Sequence, residues 1–171
     1  MMNKSDSPKT EQLIKQLRKQ DGLVRQQARI ELVRIGEPAV GPLIEALEHR
    51  TGYTHWEAAK ALSQIGSPQA AQALVEALED DEFSVRWLAA EGLIAIGEDS
   101  LKPLLTALVN NSQSSLLREG AHHVLHDLVY QLGLKQPLRE QVESVLAALN
   151  DIEPALEVPL VAERVLHKLP A

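Results

Sequence analysis

The chain contains no cysteine. That excludes a disulfide framework, a thiolate nucleophile and a cysteine-bound zinc. Aromatic residues are scarce too, at 3% of 171 residues: one Phe, two Tyr and two Trp. The core must therefore be built from Leu, Ala, Val and Ile, which suits helices packed closely side by side. Basic charge is short, with 17 Lys and Arg against 24 Asp and Glu, a net charge of −7. Nucleic acid is not an expected partner, because phosphate contact rests on clustered Lys and Arg. No apolar run approaches the roughly 20 residues needed to cross a bilayer. The opening MMNKSDSPKT lacks the apolar segment of a secretory signal. Membrane attachment is thus not expected, and a cytoplasmic location is. Each glycine stands singly, so no phosphate-cradling loop is present, and there is no serine elbow.

What the chain does have is a repeating sentence. Ala28, Ala58, Ala89 and Ala121 recur at steps of 30, 31 and 32 residues. Around them Val24, Ala28, Leu32 and Ile35 fall three and four apart, one face of a helix, and Gly36 follows as a stop. Pro38 restarts a second helix carrying Leu43 and Leu47. The second unit repeats this with Ala58, Leu62, Ile65 and Gly66, then Ser67-Pro68, a cap followed by proline in the first turn. The third has Val85, Ala89, Leu93, Ile96 and Gly97. The fourth has Leu117, Ala121, Leu125 and Leu128, but no glycine comes next, and a longer connection over 130–136 leads to a helix over 137–149.

These units predict an all-α fold, a right-handed α-solenoid of about four and a half helical hairpins between capping helices. The expected layout is a disordered tail over 1–9 and one domain over 10–171. Its repeats lie near 21–50, 51–80, 81–110 and 113–149, with caps over 10–20 and 151–169. The leading cap belongs to the only clearly basic stretch, residues 1–20, whereas residues 51–80 and 81–110 each sum to −3. Ala162, Leu166 and Leu169 fit the first-helix pattern in the trailing cap.

The segments DEFSVRWLAAEGLIAIG and GYTHWEAAKALSQIGSPQAAQALVEALEDD resemble HEAT repeats, in particular the short bacterial HEAT-like type also found in phycobilin lyases. The resemblance covers 10–149 well and 158–169 loosely. It implies a binding scaffold, and as a second possibility a factor that handles tetrapyrroles. The di-iron hydroxylases of this fold use adjacent His-Glu pairs, and none of the six histidines here is followed by Glu. The glycosylases of this fold need a basic groove. Both departures speak against an enzyme of those kinds.

Repeat register stacks equivalent positions into rows. Arg25, His55, Arg86 and Arg118 form one, where a guanidinium is expected to bind a turn carboxylate or carbonyl of a neighbouring unit, with Asp21 and Asp81 as candidates. Gln26, Trp56, Trp87 and Glu119 form a second, so both tryptophans fall in the same slot of adjacent units. His122 and His126 lie four apart on one helix face, with Glu119 a turn before them. These three are the candidate ligands for a zinc-like ion, the basis of a metal-dependent enzyme as a third possibility. His123 faces about 100° away, where Asp127 is placed to orient its ring. Gly120 inside this helix costs about 1 kcal/mol relative to Ala, which points to a close approach there by a neighbouring backbone or a partner.

The leading expectation is a non-enzymatic scaffold, without cofactor, that binds another protein. Its contact surface is Trp56, Trp87, His122 and His126, with His55, Arg118, Glu119 and His123 at the margin. A homodimer through the same tryptophans is the other occupant considered.

Overall fold

The computed structural model describes residues 6–49 and 52–169. Residues 1–5, most of the expected tail, and Thr51, the expected start of the second unit, lie outside the described residues. Among the described residues there are helices and no strand. The first, α1 (Asp6–Gln16), begins ahead of Thr10, so residues 6–9 are helical rather than tail. Pro8 is no obstacle there, since its missing N–H falls in the first turn.

Then come α2 (Gly22–Ile35), α3 (Val40–Glu48), α4 (Thr54–Ile65), α5 (Ala71–Ala77), α6 (Phe83–Ile96) and α7 (Leu101–Asn110). The remaining helices are α8 (Ser115–Tyr130), α9 (Leu138–Leu149) and α10 (Pro154–Leu166). First helices pack on one another, α2 on α4, α4 on α6 and α6 on α8. Second helices form the other layer, α3 on α5 and α5 on α7, with α1 continuing it ahead of α3. This is an α-solenoid.

The anchor alanines explain the close approach: Ala28, Ala58, Ala89 and Ala121 are all buried between the layers. One turn on, Leu32, Leu62, Leu93 and Leu125 are wholly buried. Each such leucine contributes about 1.5–3 kcal/mol relative to an exposed one. The stop glycines all take positive φ, but only Gly66 sits in the left-handed helical well (φ 65, ψ 29). Gly36 and Gly97 have ψ of −133 and −137, open only to a residue without Cβ, and each leads into a short 3-10 turn.

The arginine row has a local task. Arg25 Nη1 donates to the carbonyls of Lys19 and Gln20 at 2.9 and 2.8 Å. Arg86 Nη1 donates to those of Asp80 and Asp81 at 2.7 and 3.2 Å, and Arg118 donates to Ser112. Each guanidinium thus fastens the turn five or six residues behind it, and Arg25 also reaches a carboxylate of the next unit. Asp21 instead caps α2, accepting from the Leu23 N–H at 2.8 Å. The bond between units comes from Glu57, which is 4% exposed. Its carboxylate accepts from Arg25 Nε at 3.3 Å and Arg29 Nε at 2.9 Å, joining α4 to α2.

The fourth unit departs from the expected order. α9 packs beside α8 in the first-helix layer, and α10 packs on α7 and α9 in the second-helix layer. The residues expected to supply a second helix and those fitting a first-helix pattern have exchanged layers. The reason lies in α8, which runs 16 residues against 14 and 12 in α6 and α4. With no glycine stop after Leu128, the chain overshoots the point where the other units turn back. Val158, Ala162 and Val165 of α10 are buried by the exchange. The Ser112 hydroxyl donates to the Ala155 carbonyl at 2.9 Å and holds the helix start in place.

Candidate functional site

Most of the residues singled out in the sequence lie together on the first helices α4, α6 and α8. Ser114 caps α8, its hydroxyl accepting from the Leu117 N–H at 3.2 Å, and α8 then runs unbroken to Tyr130. Between α8 and α6 lies a groove of about 470 Å³ lined by Phe83, Arg86, Trp87, Leu116, Glu119, His122, His123 and His126. Its floor is apolar, formed by Leu78, Ala90 and Gly120.

Trp87 is 48% exposed and stacks on His123, ring centroids 4.9 Å apart and planes 28° from parallel. Phe83, four residues before Trp87 and therefore on the same face, is 65% exposed, its centroid 6.4 Å from the indole. His122 and His126 stack on each other at 6.2 Å, as their spacing predicts, and His126 leans on Tyr130 at 4.9 Å. Trp56 is half-buried. It lines a second groove, of about 480 Å³, together with Phe83 and Trp87. The two tryptophans are thus neighbours across α4 and α6.

The imidazoles have distinct partners. His123 Nε2 lies 3.4 Å from Glu91 Oε1, so the carboxylate beside this ring comes from α6 and not from Asp127. Asp127 Oδ1 lies instead 3.1 Å from His126 Nδ1. His122 Nε2 is 3.4 Å from the Asn150 amide at the end of α9. These partners draw the rings apart in function. Among the described residues, no three His, Cys, Asp or Glu side chains are grouped to hold a metal ion, so Glu119, His122 and His126 do not converge as ligands.

His55 does not lie at the margin of the surface. It is 4% exposed, with Nε2 3.4 Å from Glu82 Oε1 and 3.9 Å from Asp80 Oδ1. Its Nδ1 is buried and meets no hydrogen-bond partner among the described residues. Arg118 is half-buried and engaged with the Ser112 carbonyl, while Glu119 is exposed at the groove edge. Gly120 is approached by a side chain, not by backbone: an added Cβ would fall 2.8 Å from Leu78 Cδ2.

Sequence reasoning missed Phe83, Tyr53 and Glu91 as neighbours of the tryptophans. The signal was present for the first two, since Phe83-x-x-x-Trp87 and Tyr53-x-x-Trp56 are same-face spacings. Glu91 meets His123 only through the packing of α6 on α8.

No helix among the described residues is long and apolar enough to cross a membrane. No curated protein matches the chain. The family of HEAT repeats matches residues 10–86, which hold most of α1, all of α2 to α5 and the opening of α6. On the repeated glycine stops, the two helical layers and this match, residues 10–86 of the chain belong to the HEAT-repeat family.

Proposed function

We propose that this chain is a non-enzymatic protein-interaction module whose contact surface is the first-helix face from Trp56 to His126. HEAT repeats generally serve as protein-interaction scaffolds. The observation that carries the reading here is the exposed Phe83 and Trp87 beside a largely apolar groove. Trp is enriched among residues that dominate binding energy, and a rigid helical layer keeps the ordering cost of association low. The partner is another protein.

A photoreactive amino acid placed at Trp87 tests this in the native cell, with Glu76 on α5 as the control position. The expected outcome is a discrete protein adduct from position 87 and none from 76. No adduct at 87, or the same adducts from both positions, overturns the reading.

A second reading is favoured by the stacked Trp87 and His123 rings. A groove of this volume lies in the range of small-molecule sites, and a planar conjugated ligand would lie against those rings. Visible absorption in the purified protein, lost in Trp87→Ala, would support it.

A further inference from the structure

The charges along the proposed contact face speak to the kind of segment it takes. Three grooves run together across α4, α6 and α8. The first, of about 470 Å³, is lined by Tyr53, Trp56 and Glu82 together with the paired Arg25 and Glu57. The second shares Trp56 with it, and shares Phe83 and Trp87 with the groove that ends at Glu119. They form one strip. Packed helix axes lie about 8–10 Å apart, so crossing three helices takes roughly 20 Å, the length of about six residues of extended chain.

The rings of this strip present electron-rich faces, which attract cations. Carboxylates stand along its edges. The Glu82 and Glu91 side chains are 55% and 45% exposed, and Glu119 is exposed. The neighbouring cations already have partners. Arg25 binds two turn carbonyls and Glu57, and Arg86 binds the carbonyls of Asp80 and Asp81. The chain as a whole carries −7. An acidic segment laid here meets like charge, and a neutral one leaves unused the ring faces that Arg25, 3.9 Å from the Tyr53 centroid, and Arg86, 5.5 Å from the Phe83 centroid, do not already cover.

We infer that the strip binds an extended Arg- or Lys-rich segment of a partner protein. Its cationic groups lie over Trp56, Phe83 and Trp87 and pair with Glu82, Glu91 and Glu119. The inference rests on the interaction-module reading above and adds the partner's chemistry. In a polyproline II segment every third side chain returns to the same side and advances about 9 Å, close to one helix spacing, so cations at that interval meet successive grooves.

The test uses synthetic peptides of about eight residues, long enough for the strip, titrated into the full chain. Binding is followed by the fluorescence of its two tryptophans. One peptide carries Arg at every third position, a second Gln in its place, and a third Glu. The Arg peptide is expected to bind saturably and the other two at least about ten-fold more weakly, with affinity falling as salt rises. Trp87→Ala and the double variant Glu91→Gln with Glu119→Gln should each weaken the Arg peptide about ten-fold. Glu76→Gln should leave it unchanged. Circular dichroism checks that each variant stays folded.

Equal binding of the Gln peptide, or Arg-peptide affinity indifferent to the two groove variants, overturns the inference. So does self-association through Trp87 in sedimentation, which would make the occupant a second copy. If the Arg peptide fails while the adduct at position 87 forms, the partner class falls and the interaction module stands. If the adduct is also absent, both fall.

Discussion

Glu57 occupies a slot that holds Leu88 in the next unit and Gly120 in the one after. No repeat pattern predicts a buried carboxylate there, and only the packing of α4 on α2 reveals what it does. With both Arg25 and Arg29 bound to it, Glu57→Ala leaves two half-buried guanidiniums without their anion. Breaking a buried pair in this way costs about 3–5 kcal/mol, and the urea midpoint should fall accordingly with little change in slope. The anchor alanines were legible for the opposite reason, because every unit needs the same small side chain at the same crossing. Gly120 was legible only in part: its cost in a helix flagged a close neighbour, but not that Leu78 would be it. Gly120→Ala should destabilise by about 1–3 kcal/mol through overpacking, more than offsetting its gain in helix propensity of about 1 kcal/mol. Gly92→Ala should cost more. Its Cβ would meet Leu74 Cδ1 at 2.8 Å and also the Ser63 Cα at 3.3 Å, and backbone yields less than a leucine tip. Urea unfolding of the two variants side by side decides the order.

At the scale of elements, the stop glycines, the Ser67 cap and the four first helices could be read directly, because each depends on neighbours within a turn or two in sequence. Ser67 illustrates the limit. Its hydroxyl accepts from the Gln69 N–H at 3.2 Å, as a cap should, and it also donates to Glu37 at 2.8 Å in the preceding unit, which no local rule supplies. The exchange of α9 and α10 was illegible for a related reason. Both have amphipathic apolar spacing, and which layer each joins depends on how far α8 carries the chain before it turns. The contact face was partly legible in the same sense: repeat register brought Trp56 and Trp87 together, while Glu91 beside His123 needed the crossing of α6 over α8. Truncation before Pro154 tests the role of α10. It uncovers α7 and α9, so amide exchange should speed in α7 to α9 while α2 to α4 keep their protection, since each unit of such an array leans only on its neighbours. Uniform loss of protection along the whole chain would contradict this.

At the scale of the molecule, stability is close to a sum of unit and interface contributions. Copying residues 67–97 in tandem after Gly97 adds one complete period, with its own arginine and its own glycine stop. The longer chain should fold, with a larger denaturant slope in proportion to the added buried surface. The same copy placed after Leu149 separates α9 from α10 and should lower the urea midpoint instead. The return of α10 over α7 also has a consequence in time. As the chain leaves the ribosome, the early units can settle in order, each on the one before. One flank of α7 stays bare until residues 154–166 emerge to cover it. That interval is when the nascent array is most open to a chaperone or to an unwanted neighbour.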